Sequence, residues 1–228
     1  MKIVVTNDDG IDAPGLQVLE AIAEKMGQVV VVAPEGPQSG VGHQVTTRKT
    51  LRVKEVAPAR FSVEGTPADC IRLAVKSLAI GVDWVLAGIN PGANLGSDIY
   101  NSGTVAAARE AAILGMPAMA ISQYISSGGA IDWQATGHHA GRAVTTLMAS
   151  ALPRRAYWNI NLPHPVTTGQ HVACRICDPD PNPHDYRYEA VDGGYRYQGT
   201  IHTRPRLPGK DVAVCFDDHR IAVSLLQL

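Results

Sequence analysis

The sequence lacks a dominant charge. Its 20 lysines and arginines stand against 21 aspartates and glutamates, a formal net charge of −1 over 228 residues. That balance leaves no electrostatic footprint for duplex nucleic acid or an anionic membrane, whereas a small phosphorylated ligand needs only a local cluster. A long apolar run is lacking too. The most apolar stretch, 105–122, is interrupted by Arg109, Glu110, Gly115 and Pro117, so it is no membrane span. The start, Met1 followed at once by KIVV and Asn7-Asp8-Asp9, has neither the apolar region of a secretory leader nor the arginines of a transit sequence. Cysteine is scarce, with 4 in the chain at positions 70, 174, 177 and 215. A zinc site wants a second pair beside Cys174-Arg175-Ile176-Cys177, and a redox motif wants a strand-to-helix setting. Neither is offered, and the expectation is ordinary thiols in a reducing, cytoplasmic compartment.

What is present suits one large domain, or one domain with an appendage. A chain of this size buries roughly 70% of its unfolded surface and needs no staples. The first part alternates strand and helix signals. KIVVT (2–6) is followed by Leu16, Leu19, Ile22 and Met26 at helical spacing, and QVVVVAP (28–34) is a β-branched run. LRVKEV (51–56) and RFSVEG (60–65) read as a hairpin, and Thr66-Pro67 opens a helix. VDWVLAGIN (82–90), PAMAISQY (117–124) and AYWNINLP (156–163) read as strands, with helices from Thr104 to Leu114 and near 131–152. This alternation predicts an α/β fold: a Rossmann-like, doubly wound parallel sheet with helices on both faces. Beyond residue 163 the helical periodicity stops. Residues 164–228 are expected to form a β-rich extension, with a hairpin around Asp192-Gly193-Gly194 and late strands in DVAVCF and RIAVSLL.

In an open parallel sheet, ligands bind beyond the carboxyl ends of the strands. Four informative loops follow strands: Asn7-Asp8-Asp9-Gly10, Pro34–Gly42, Gly88-Ile89-Asn90 and Pro91–Gly103. Asn7 and Asp8 can shape a turn, and Asp9 or Asp12 can cap the next helix, but this does not explain three carboxylates crowded at one strand end. A divalent cation between Asp8 and Asp9 removes the repulsion. With oxygen donors alone on offer, among them Ser39 and Asn90, it should be Mg²⁺, Mn²⁺ or Ca²⁺. The loop PGANLGSDIYNSGT runs into a helix whose free amides, with Ser102, Gly103 and Thr104, suit a phosphate. A Walker lysine and a GxGxxG pattern are both absent, which excludes the standard ATP and NAD loops. A metal site beside an anion cradle points to metal-assisted phosphoryl chemistry.

His43 is the histidine nearest these loops and a candidate proton donor to a leaving alkoxide, though a lone loop histidine is more often merely solvated. Tyr186, Arg187, Tyr188, Tyr195, Arg196 and Tyr197 can stack a nucleobase, but cross-strand pairing in a hairpin is the better reading.

TNDDG after the first strand, AP….SG in the second loop, GTPADC (65–70), AGIN.G.N.G.D (87–98) and SGTVAAARE (102–110) together resemble the SurE family. The likeness spans roughly residues 1–125. It implies a Rossmann-like core with a β-rich extension through which similar proteins form dimers or tetramers. It also implies metal-dependent hydrolysis of nucleoside 5′- or 3′-monophosphates, in some members of short polyphosphate as well. Carried over by position, Asp8, Asp9, Ser39 and Asn90 match metal ligands, while Asn94 and Ser102-Gly103-Thr104 match phosphate-contacting positions. The closing AVSLLQL matches the family's Ser-x-Thr-Pro-Leu segment only in part. Two rival readings remain at this level. A calcium-dependent nucleoside hydrolase would release free base, and a non-catalytic nucleotide sensor would bind without turnover.

Overall fold

The computed structural model describes residues 1–228. β1 (Lys2–Thr6), β2 (Gln28–Pro34), β5 (Trp84–Pro91), β6 (Ala118–Gln123) and β7 (Ala156–Leu162) run parallel with β4 (Arg60–Val63). The full sheet has 9 strands in the order β3-β4-β2-β1-β5-β6-β7-β11-β8. β3 (Val53–Ala57) is antiparallel to β4 and forms the expected hairpin. The α/β class and the parallel sheet agree with the sequence reading.

Alternation along the strands divides the core into two layers. Ile3 and Val5 face α1 (Pro14–Glu24) and α4 (Trp133–Met148), and pack with Leu16, Leu19, Val144 and Leu147. Val4, Val85 and Ala87 face α2 (Pro67–Leu73) and α3 (Gly103–Ile113), and pack with Ile71, Val105 and Ala108. Truncating a residue such as Leu19, fully buried here, costs about 2–5 kcal/mol. α2 starts as the sequence predicts: the Thr66 hydroxyl accepts from the Asp69 amide, the Asp69 carboxylate accepts from the Thr66 amide, and Pro67 occupies the first turn. α1, by contrast, is capped by neither Asp9 nor Asp12; Ala13 stands at its N-cap.

One expectation for the C-terminal third needs correction. DVAVCF is not a strand but a short helix, α5 (Asp211–Phe216). All six of its residues are buried, and a short, wholly buried apolar run has no polar face from which to read its period. Residues 164–228 also add strands to the main sheet. β11 (Ile221–Gln227) lies antiparallel against β7, and β8 (Cys174–Ile176) pairs with β11 at the edge. The predicted hairpin does form separately, from β9 (Tyr186–Val191) and β10 (Gly194–Gly199) with Tyr188 opposite Tyr197. α5 supplies Val212, Val214 and Phe216 to a third apolar cluster with Leu95 and Tyr124, which fastens this region over the strand ends. No helix is long and apolar enough to cross a membrane.

Candidate functional site

The chain leaves β1 toward β2 on one side and later returns to β5 on the other, so the strand order reverses between β1 and β5. The loops after these two strands diverge there and leave a crevice. A cavity of about 450 Å³ opens at this point, and Asp8, Ser39, Asn90, Asn94 and Ser102 all line it.

Asn7 makes the turn after β1, its amide donating to the Gly10 carbonyl at 2.9 Å and accepting from the Gly10 amide. Turn formation therefore uses Asn7 and leaves the two aspartates for other work. Asp8 is 6% exposed. Burial pushes its carboxyl above the usual range, and the Thr104 hydroxyl and the Gly103 and Thr104 backbone oppose this by holding the charged form. Asp9 makes no side-chain hydrogen bond; burial and then the neighbouring Asp8 charge push it up to about 7. Neither carboxylate pairs with a lysine, arginine or histidine.

The Gln38 amide donates to the Asp8 carbonyl at 2.7 Å, which draws the second loop and Ser39 toward Asp8. Asn90 is aimed by an irregularity in β5, where pairing with β6 jumps from Ala87 to Asn90. Gly88 makes this close approach feasible: its φ is 138°, and a Cβ there would stand 2.3 Å from the Ile121 carbonyl oxygen. The Asn90 amide nitrogen donates to Gly92 O at 2.6 Å, leaving the side-chain oxygen available as a ligand. Two carboxylates without a protein counter-charge, joined by a hydroxyl and an amide oxygen, make a donor set for a hard divalent cation. The structure has no cluster of three or more His, Cys, Asp or Glu suited to a metal, so such an ion must draw on these neutral oxygens and on water.

Asn94 donates through its amide nitrogen to Ser122 Oγ at 2.8 Å and keeps its second N–H. Its backbone is clamped by Asn159 and Asn161 from β7. Ser102 caps α3 by accepting from the Val105 amide at 3.1 Å, which leaves the hydroxyl hydrogen for an anion. Capping and ligand contact are thus compatible in one residue. Gly103 and Thr104 are placed differently from the expected phosphate cradle. Thr104 is fully buried and its hydroxyl donates to Asp8, while the glycine at 103 makes room for that carboxylate. The amino end of α3 is already occupied by an anion from the protein itself.

His43 does not line the cavity. Its Nε2 meets Glu110 at 2.7 Å and its Nδ1 lies 3.5 Å from Arg109, between the loop and α3. Arg72 holds the other oxygen of Glu110 at 2.6 Å. A buried carboxylate on α3, invisible as such in the sequence, thus takes up His43.

Asp98, His184 and Arg204 complete the cavity, and Tyr197, Thr200 and Ile201 adjoin them. Sequence reasoning assigned none of the first three. Asp98 lies inside the Gly-rich loop and was visible there as a carboxylate, but no spacing links it to His184 or Arg204. The tyrosines do form the hairpin, with Tyr186 and Tyr197 rings 5.4 Å apart, and Tyr197 borders the cavity as well. Cys174 and Cys177 are free, the first exposed and the second half-buried.

A family model described as "Survival protein SurE" matches residues 3–182. A 5′-nucleotidase SurE from Paramagnetospirillum magneticum is 40% identical over 239 residues, covering 100% of this chain and 89% of that protein. A relative from Synechocystis sp., provisionally named a 5′-nucleotidase, is 43% identical over 228 residues with both chains fully covered. The crystal structure of the SurE protein from Aquifex aeolicus superposes with a TM-score of 0.88 at 28% identity, covering 100% of this chain and 93% of that one. With four of the five sequence motifs lining one cavity at the strand-order reversal and the fifth, GTPADC, opening α2, the chain belongs to the SurE family.

Proposed function

We propose that this protein is a divalent-metal-dependent phosphomonoesterase that hydrolyses nucleoside 5′- or 3′-monophosphates to nucleoside and phosphate. Membership of the SurE family and relatives named 5′-nucleotidase support the nucleotidase class. The observation that carries the metal dependence is the Asp8–Asp9 pair at the end of β1, Asp8 buried and Asp9 half-buried, neither with a cationic partner, with Asp8 lining the cavity beside Ser39 and Asn90. These four residues would hold one Mg²⁺ or Mn²⁺. When bound, the ion neutralises the carboxylates and lowers the pKa of a coordinated water.

The chain's own residues do the rest. The free N–H of Asn94 and the Ser102 hydroxyl bind phosphate oxygens and oppose the charge that grows on them. Thr104 commits one oxygen of Asp8, so that carboxylate is fixed in place. Asp9, with both oxygens free of hydrogen bonds, receives the proton released by the attacking water. The C-terminal third supplies His184, Tyr197 and Arg204 to the cavity wall, on the side left for the nucleoside. Association into dimers or tetramers through the extension belongs to the same proposal. Tyr188 and Tyr195 on the hairpin are 60% and 76% exposed, an unusual display for large aromatic rings.

The test is phosphate release from a panel of nucleoside monophosphates, after chelation and again after Mn²⁺ or Mg²⁺ is added, for wild type and Asp9→Asn. Activity restored by metal in the wild type and lost in the variant supports the reading. Nucleotide binding without turnover sinks it in favour of a sensor, and release of free base would indicate a nucleoside hydrolase.

A further inference from the structure

The cavity has a lining that the metal and phosphate residues do not use. Asp8, Ser39, Asn90, Asn94 and Ser102 occupy the strand ends, and what remains for the leaving nucleoside is the part built by Asp98 and the C-terminal third. In that part His184 is the one histidine lining the cavity. Its Nε2 lies 2.9 Å from Asp98 Oδ1. Arg204 donates to Asp98 Oδ2 at 2.7 Å and to the Leu95 carbonyl at 2.8 Å, and is itself 7% exposed. The guanidinium thus fixes the carboxylate, and the carboxylate fixes the imidazole with Nε2–H as its donor. His184 Nδ1 makes no protein hydrogen bond. A carboxylate that orients an imidazole by one nitrogen and leaves the other free is the arrangement of a proton-transfer group. The other polar groups on this side of the cavity are Asp185 on the neighbouring stretch of chain, Asn101, Thr200 and the Tyr197 phenol, with the Tyr186 ring packed beside His184.

We propose that His184, held by Asp98 and Arg204, is the general acid that protonates the departing nucleoside oxygen. This rests on the phosphomonoesterase reading above. Water forms the new P–O bond and gives a proton to Asp9. As the old bond breaks, its electron pair stays on the nucleoside oxygen, which takes the proton from His184 Nδ1. Between turnovers Asp9 gives its proton to solvent and solvent returns one to His184, so the net reaction is ester plus water to alcohol plus phosphate.

An acid matters most where the leaving group is poor. The experiment therefore compares a nucleoside 5′-monophosphate with p-nitrophenyl phosphate, whose phenolate departs readily without a proton. Wild type, His184→Asn and Asp98→Asn are assayed with Mn²⁺. For His184→Asn the expected result is a fall of about 100-fold or more in kcat on the nucleotide, with KM little changed. On p-nitrophenyl phosphate the fall should stay under about 5-fold, and that residual activity shows an intact fold. Asp98→Asn should show the same asymmetry with a smaller amplitude. Equal losses on both esters would overturn the proposal in favour of a structural role. A raised KM with unchanged kcat on the nucleotide would overturn it in favour of simple nucleoside binding. Wild type inactive on both esters would remove the phosphomonoesterase reading itself, and the proposal with it.

Discussion

Gly103 stands directly against Asp8, and their fit sets how much the site tolerates. A Cβ at residue 103 would lie 2.8 Å from Asp8 Cβ and 2.9 Å from its Oδ2. Gly103→Ala should displace the carboxylate by a fraction of an ångström. It is expected to cost about 1–3 kcal/mol in stability and about 100-fold in metal-dependent turnover, read by urea denaturation and phosphate release. Asp9 gives a prediction with a pH sign. Its folded carboxyl, raised to about 7 from 3.8, binds its proton more tightly than the unfolded chain does. In chelated protein the melting temperature should therefore decline as pH rises from about 3.8 to about 7. Asp9→Asn should lessen that decline, leaving what Asp8 and Asp211, also raised by burial, contribute, and saturating Mg²⁺ should lessen it in the wild type. A wild-type curve parallel to that of the variant would mean that the pair is not under electrostatic strain.

At the scale of elements, α3 is held to its neighbours by Glu110. This carboxylate is 1% exposed and bonds Arg72 of α2 and His43 of the preceding loop. Burial alone would raise its pKa, but the hydrogen bonds and charges of His43 and Arg72 outweigh this and lower it. The contribution is therefore complete above the unfolded value of about 4.5 and disappears as pH falls through the lower folded value. Glu110→Ala should destabilise by about 2–3 kcal/mol at neutral pH, the low end for a broken buried pair because Arg72 is partly exposed. The difference from wild type should shrink in acid, as equilibrium urea titrations at the two pH values would show. His43 was legible as a polar loop residue near the site. Its partner was not, because Glu110 sits in the apolar run VAAAREAAIL and nothing in that pattern says which face its carboxylate takes.

Across the whole molecule, the cavity has two makers that are far apart in sequence. Asp211 joins them. Its carboxylate accepts from the Gly96 amide at 2.8 Å, from Asp180 at 2.7 Å and from Val212 at 2.8 Å, and burial raises its pKa. One side chain thus ties the Gly-rich loop, the segment before the hairpin and the start of α5. Asp211→Ala would leave these amides unpaired in the interior, at a cost of about 3 kcal/mol or more. Because the C-terminal third would then loosen from the strand ends, nucleotide binding should weaken with it. Calorimetric titration of nucleotide and a thermal melt of the same variant check both consequences, and unchanged binding would show that the second lining is held by other means.

The strand-and-helix alternation of the first 163 residues was readable because each element has its own period, and strands buried on both faces announce themselves as β-branched runs. Parts of the strand-end loops were readable for a related reason: the Asn7 turn to Gly10 and the Ser102 cap on Val105 are local patterns whose partners lie three residues away. Only the tertiary structure decided the rest. It turned DVAVCF into a helix, since complete burial erases periodicity, and it gave Thr104 to Asp8 instead of to a ligand. It also brought His184 and Arg204 to Asp98 across intervals of 86 and 106 residues. No local propensity encodes such meetings, because they follow from which surfaces exclude water together once the sheet and its last strand, β11, have assembled.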